Sequence, residues 1–366
     1  MALFLSGCPE EIESQKRCKV TGWELIYEND SIAALTGSAP DDLYAVHEEV
    51  KDCDEYCWYT YPYHYFDSQS WSETGLEIQL GTIFSLETGT VFSANFSPNN
   101  PAGTTLITCN AGICDWELVT EYGPETVIFY PGHSWASSEN DIWISGGTYE
   151  ELDNEVGDTH SDLNDYFLHY DGQQWNTVWV PGYPEVCEED SKCPANLIKA
   201  VWGRSADDVW SLVYDRNSET SKLYHYEGDH FSLILEVEEE LFFLLALDSS
   251  HAYFTSIKNI NPGDDEFYES KLYHFSGNEL VPMIPPEDED SIEQFRKMAG
   301  TSPSDLYLIG GGSHRYTNKV WHYDGEAWSR FDTPESETGP HESKQIFTLA
   351  PDHIYSVEED GVHKAT

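Results

Sequence analysis

Two stretches of this chain have residue types and spacing that could do chemistry. Cys57-Trp58-Tyr59-Thr60-Tyr61-Pro62-Tyr63 places four aromatic rings within seven residues. If exposed, Trp58, Tyr59 and Tyr61 would stack on sugar rings or grip a peptide, since flat side chains bury much area with few torsions to freeze. The simpler account is that they pack over the edge of a core. Asp153, Glu155, Asp158, Asp162 and Asp165 crowd a second stretch. Carboxylates gathered in this way can supply the oxygen ligands that Ca2+ takes, with Asp153, Asp158, Asp162 and Asp165 as the candidate set. The order D-x-[DN]-x-[DN]-G of a calcium loop is missing, and a solvated acidic loop explains the run equally well. Asp264-Asp265-Glu266 and Glu287-Asp288-Glu289-Asp290 read as solvated loops for the same reason. The motifs H-E-x-x-H, G-x-S-x-G, G-x-x-x-x-G-K and G-x-G-x-x-G do not occur, so no catalytic residue is assigned and a binding role is expected ahead of an enzymatic one. With 67 acidic residues some pair of carboxylates is bound to lie close, so proximity alone does not argue for glycoside hydrolysis.

What positions these stretches follows from composition and repetition. The chain has 366 residues, of which 39% are hydrophobic and 14% aromatic, enough to build a sizeable core. Against 67 Asp and Glu stand 18 Lys and Arg, a net charge of -49. That balance disfavours nucleic acid and anionic lipid, both of which are held by clustered Lys and Arg. It suits a secreted protein kept soluble by charge, or a saline setting that screens self-repulsion.

An extended "Asp-apolar-aromatic" segment recurs seven times, centred on Leu43, Val91, Ile142, Val209, Ala252, Leu306 and Ile354, at spacings of 48, 51, 67, 43, 54 and 48 residues. An apolar run and a turn precede each segment, and a hairpin such as Leu168-His169-Tyr170-Asp171-Gly172-Gln173-Gln174-Trp175 follows. Asp-Gly between alternating apolar runs is a strong hairpin signal. Each unit therefore reads as four short antiparallel strands, A to D. Units of this size stack around an axis as the blades of a β-propeller.

The fourth-strand aromatic column runs Trp23, Trp71, Trp116, Trp175, Phe231, Leu280 and Trp328. Trp23 precedes the first complete unit, and the last unit stops after its third strand at Gly361-Val362-His363-Lys364. The expectation is an all-β, seven-bladed β-propeller over residues 20–366, with Gly22-Trp23-Glu24-Leu25 supplying the missing strand of the last blade. Such closure leaves no open sheet edge. Residues 1–19 form an N-terminal tail.

The pattern resembles the propeller repeats of bacterial extracytoplasmic proteins, S-x-x-D-V-W…H-Y-D-G-x-x-W, most fully at Ser205–Trp210, Leu168–Trp175 and Ser302–Trp328. The second unit departs from it, with Cys109 to Cys114 in place of the Asp-Gly turn, and the fifth lacks the Asp. The resemblance implies a scaffold and leaves the ligand open, since propellers host many functions. Leu5-Ser6-Gly7-Cys8 resembles a bacterial lipobox, which makes Cys8 a candidate for lipid attachment and the tail the remnant of a lipoprotein signal. The alternative is a disulfide from Cys8 to Cys18. The other cysteines fall in local pairs, Cys53/Cys57, Cys109/Cys114 and Cys187/Cys193, whose gaps fit short-loop disulfides of an oxidising compartment better than zinc.

His169, His225, His274, His322 and His363 are read as sharing one third-strand position. They belong to different blades, too far apart to share a metal, so they are structural. Length variation gathers in the B–C connections, such as Glu48–Tyr61 and Gly146–Asp165, and in D–A connections such as Pro181–Ala195, all on one face of a propeller. Loops on one face of a rigid scaffold are where recognition usually resides. The expected function is a non-catalytic, extracytoplasmic module that recognises a cell-surface or extracellular protein or peptide through that face. A glycan-binding propeller, assisted by Ca2+, is the alternative, and a hydrolase or lyase with an axial site the third reading.

Overall fold

The computed structural model describes residues 23–28, 32–47, 49–52, 58–67, 69–78, 82–86, 88–96, 103–121, 127–150, 165–179, 196–259, 268–283, 294–311, 318–331, 345–350, 353–358 and 361–365. They form seven antiparallel sheets. The innermost (A) strands are Ile32–Ala39, Thr82–Ser85, Val127–Ser138, Asn196–Ser205, Leu241–Asp248, Gln294–Ser302 and Gln345–Ala350. Each A strand touches the next and the last touches the first, so the sheets close a ring as blades 1 to 7. The predicted all-β, seven-bladed propeller is the fold observed.

The predicted closure is also present. Trp23–Glu28 is the outer strand of the sheet whose other strands are Gln345–Ala350, His353–Glu358 and Gly361–Ala365. Trp23 lies opposite Ala365, and Glu28 opposite Gly361. Along the axis, Gln345 ties blade 7 to blade 1: its Nε2 donates to Leu35 O at 3.1 Å, and its Oε1 accepts from Leu35 N at 3.0 Å. The side-chain amide thus takes the place of a strand partner for a backbone that has none.

Large side chains of the repeat fill the space between neighbouring sheets. Trp143, Tyr44 and Tyr355 are fully buried. Trp143 and Phe167 of blade 3 pack with Val209, Tyr226 and Phe231 of blade 4, and Trp202 and Trp210 of blade 4 pack with Phe254 and Phe275 of blade 5. Truncating one such ring to Ala typically costs about 3–5 kcal/mol. The second-strand aromatic column is therefore core, whereas in the fourth-strand column Phe231 is buried and Trp71, Trp175 and Trp328 are half-buried.

The repeat's Asp does a second job. Just before the A–B turn a bulge takes Ser38, Ser137, Arg204 and Thr301 out of the ladder. A bulge re-aims the side chain it carries. The Ser137 hydroxyl donates to Asp141 Oδ2 and the Thr301 hydroxyl to Asp305 Oδ2, while the Arg204 guanidinium pairs with Asp208 Oδ2 at 3.1 Å. The other oxygen, Oδ1, takes the imidazole of strand C: His169 to Asp141 at 2.9 Å, His225 to Asp208 at 2.8 Å and His322 to Asp305 at 2.9 Å. One carboxylate thereby fastens three strands. The structural role read for His169, His225 and His322 holds. His363 does not belong with them: the residue opposite Tyr355 is Lys364, and His363 faces Ser356 one position away. A slip of one residue reverses the side a strand residue points to.

At the C–D hairpins, Asp171 Oδ1 accepts from the backbone N of Gln173 and Gln174, and Gly172 adopts φ 84°. Blade 2 turns more tightly, through Ala111 and Gly112 alone, both at positive φ, and the flanking Cys109 and Cys114 are joined by a disulfide.

Two predicted loops are partly strand. Within 48–61, Glu49–Asp52 pairs with the start of Trp58–Phe66, placing Glu49 opposite Thr60 and Val50 opposite Tyr59. In blade 3, Val127–Pro131 pairs with Gly146–Glu150, so the A–B pair runs past the rest of its sheet. Both extensions rise on the B–C and D–A face.

Candidate functional site at the axial opening

Trp58, Tyr59 and Tyr61 have their backbone in the blade 1 strand Trp58–Phe66. Trp58 lies opposite Asp52, Tyr59 opposite Val50 and Tyr61 opposite Ile78. Asp165 opens the third strand of blade 3 opposite Gly147. Asp153, Asp158 and Asp162 lie outside the described residues, as do Cys8, Cys18, Cys53, Cys57, Cys187 and Cys193. Among the described residues, no group of three or more His, Cys, Asp or Glu is placed to hold a metal.

A different set of residues is brought together by the ring. The flat faces of an inner strand are covered by neighbouring blades, so a side chain exposed in mid-strand opens onto the axis. His133 and Lys297 are exposed in this way, in the inner strands of blades 3 and 6. Lys199 is half-buried in the inner strand of blade 4. All three lie at or beside bulges: Gly132 and His133 between Pro131 and Ser134, Lys199 between Ile198 and Ala200, and Lys297 next to the bulged Arg296. A bulge frees a residue from the alternation that would turn it into a blade.

The bulge leaves the His133 backbone without its ladder partners, and Ser145 replaces them. Its hydroxyl accepts from His133 N at 2.9 Å and donates to His133 O at 3.1 Å. His133 is open to solvent yet crowded by protein, and it feels both Lys297 and Lys199. Crowding, then Lys297, then Lys199 push its pKa down to about 4, so the ring is neutral at pH 7. The inner strand of blade 3 packs against those of blades 2 and 4, and that of blade 6 against those of blades 5 and 7. The influence of Lys297 on His133 therefore crosses the opening.

Lys199 is fixed in place. Its ammonium pairs with Glu240 at 2.9 Å, and lies 5.1 Å from the centre of the Phe242 ring and 5.7 Å from that of Tyr214. Lys297 makes no ion pair among the described residues, in a chain with 67 acidic groups. Glu240, directly before the blade 5 inner strand, puts the cluster toward the long-loop end of the opening. Sequence reading missed these three residues, because the repeat pattern marks what packs inside blades and not what the bulges turn toward the axis.

No known sequence family matches the chain, and no curated protein sequence does. Solved structures do match in fold. YCF48 bound to D1 peptide is 13% identical, with 96% of this chain and 98% of that one covered and a TM-score of 0.54. The acylaminoacyl peptidase of Pyrococcus horikoshii is 10% identical with a TM-score of 0.60; the alignment covers 92% of this chain but only 51% of the peptidase, so this chain spans about half its length. The β-propeller domain of the Trilobed protease from Pyrococcus furiosus, described as having an open velcro topology, is 10% identical over 92% of this chain and 91% of that one, with a TM-score of 0.58. Here, by contrast, the ring is closed by Trp23–Glu28. At these identities the likeness is one of fold.

Proposed function

We propose that this propeller is a non-catalytic, extracytoplasmic module that binds a protein or peptide through the face carrying the B–C and D–A connections. The observation that carries the reading is the pair of strand extensions rising on that face, Glu49–Asp52 with the start of Trp58–Phe66, and Val127–Pro131 with Gly146–Glu150. Paired backbone holds a projecting segment in one conformation, which lowers the ordering cost of binding. The likeness in fold to YCF48, which is bound to a peptide in its structure, is consistent with this reading.

Peptide display against the oxidised protein tests it. Enrichment of a defined peptide class is expected, with binding lost when residues 49–60 are replaced by a two-residue turn and the melting curve is unchanged. Binding to a glycan array with no peptide enrichment would overturn the reading in favour of a lectin, and loss of that signal on Trp58→Ala would place the sugar on the hairpin.

A further inference from the structure

We propose that the axial opening binds one carboxylate group of the peptide ligand, received jointly by Lys297, Lys199 and His133 at the long-loop end. The proposal deepens the peptide-binding reading and rests on it for the rest of the ligand. Three observations carry it. Exposed mid-strand residues of an inner strand open only onto the axis, and His133 and Lys297 are of that kind. The Lys297 ammonium has no carboxylate partner among the described residues, whereas Lys199 is steadied by Glu240, Phe242 and Tyr214. The His133 backbone is held by Ser145, so only the side-chain torsions of the ring have to be ordered on binding.

The chemistry favours a single negative charge. Two ammonium groups, that of Lys199 offset by Glu240, and a neutral imidazole leave a local excess of one positive charge at Lys297, while the net -49 of the whole chain opposes a polyanion. A carboxylate between the lysines would offset their share of the downward shift at His133, so with the ligand bound the ring takes up a proton at a less acidic pH than without it. The groups acting on His133 are Lys199 from blade 4 and Lys297 from across the opening. The adjoining strand Thr82–Ser85 of blade 2 carries no ionisable residue, and Ser145 on the paired strand contributes only its hydroxyl. Lowering the pH from 7 toward 5 then strengthens carboxylate binding, until the ligand itself protonates near its usual pKa of about 4.

The test is an NMR titration of the intact, oxidised protein with 15N-labelled histidine, the His133 signal being assigned by its loss in His133→Gln. Three small probes are used: N-acetylglycine, with only a chain-end carboxylate; N-acetylglutamic acid α-amide, with only a side-chain carboxylate; and N-acetylglycinamide, with neither. The expected result is a saturable His133 shift with a carboxylate probe and none with the amide. At saturation the His133 pKa should rise by about one unit or more. Lys297→Gln should weaken binding at least fivefold, and Lys297→Arg should retain it. The tighter of the two carboxylate probes identifies the source of the group. Equal shifts with all three probes, or no saturable shift, would overturn the proposal, as would unchanged affinity in Lys297→Gln. Because these probes do not need the loop face, a failed peptide screen with a positive titration counts against the broader reading and not against this site.

Discussion

Blades 5 and 6 are neighbours with the same four-strand plan, yet they fasten strand C to strand B by different chemistry. In blade 6, His322 stacks on Tyr307 with ring centres 4.6 Å apart and reaches Asp305 Oδ1 at 2.9 Å, while Thr301 holds Oδ2 at 2.5 Å. In blade 5, His274 stacks on Tyr253 at 5.0 Å, but His251 stands where the Asp would be and stacks on His274 at 5.3 Å. His251 turns its Nδ1 to Asp248 instead, and His274 Nε2 meets no partner among the described residues. Burial works against the Asp305 charge, but hydrogen bonds from His322 and Thr301 outweigh it and hold the pKa below the usual carboxylate range. Burial, and then His251, push the His274 pKa below the usual histidine range. The backbone plan tolerates both arrangements. The aromatic packing between sheets is common to them, whereas the polar fastening is replaceable.

The contrast can be broken most severely at blade 6. Asp305→Ala strands a buried imidazole and a hydroxyl, and should cost about 3 kcal/mol, read as a lower urea midpoint. A loss below about 1 kcal/mol would mean that stacking alone fastens this blade. Blade 2 supplies a third solution for comparison, since Thr108 stands opposite Phe92 where blades 3 to 6 carry His, and Cys109–Cys114 joins strands C and D instead. Replacing both cysteines by serine should lower stability by about 2 kcal/mol, the figure expected for so short a closed loop. Rebuilding blade 5 on the plan of blade 6, with Leu247→Thr, Asp248→Ser and His251→Asp together, should raise stability by about 1 kcal/mol through a bond to His274 Nε2. A fall would show that blade 5 has packed around its imidazole pair.

The smallest effect concerns pH. The unfolded chain protonates histidine near the usual value of about 6.5, while folded His274 resists, so the unfolded state binds more protons and stability falls as pH drops below that value. Asp305 contributes nothing to the slope between pH 7 and 5, because its stabilisation is lost only when the pH falls through its lowered pKa. His274→Phe should therefore flatten the decline in melting temperature between pH 7 and 5, and an unchanged slope would assign it to His64 and His133, whose pKa values burial also lowers.

The blades were legible in the sequence because packing between them demands the same apolar and aromatic residues each time. All seven second strands, the closing role of Trp23 and six of the seven fourth-strand positions could be read from that pattern; in blade 2 the equivalent position is Cys114, opposite Cys109, and Trp116 lies two residues further on, opposite Ile107. The pairing of Glu49–Asp52 with Trp58–Thr60 could not, since so short a mixed polar and aromatic pair does not show the alternation that a buried face imposes. His363 was misplaced because a repeat aligned by eye does not show a one-residue shift, whereas the pairing of Tyr355 with Lys364 does. The axial residues left no local signal. His133, Lys199 and Lys297 come from three units and meet only because the ring closes.

That closure also sets a timetable for the nascent chain. Trp23–Glu28 leaves the ribosome roughly 330 residues ahead of its partner Gly361–Ala365. At the usual 5–20 residues per second the first strand waits roughly 20–70 s with its backbone donors and acceptors unmatched. Blades 1 to 6 can be made in order, yet the ring stays open until Gly361–Ala365 arrives. Truncation of only the last strand, a small fraction of the mass, would leave the two ends of the array apart and free to join those of another copy. In a cell, the protein's most hazardous moment is the one just before Gly361–Ala365 is made.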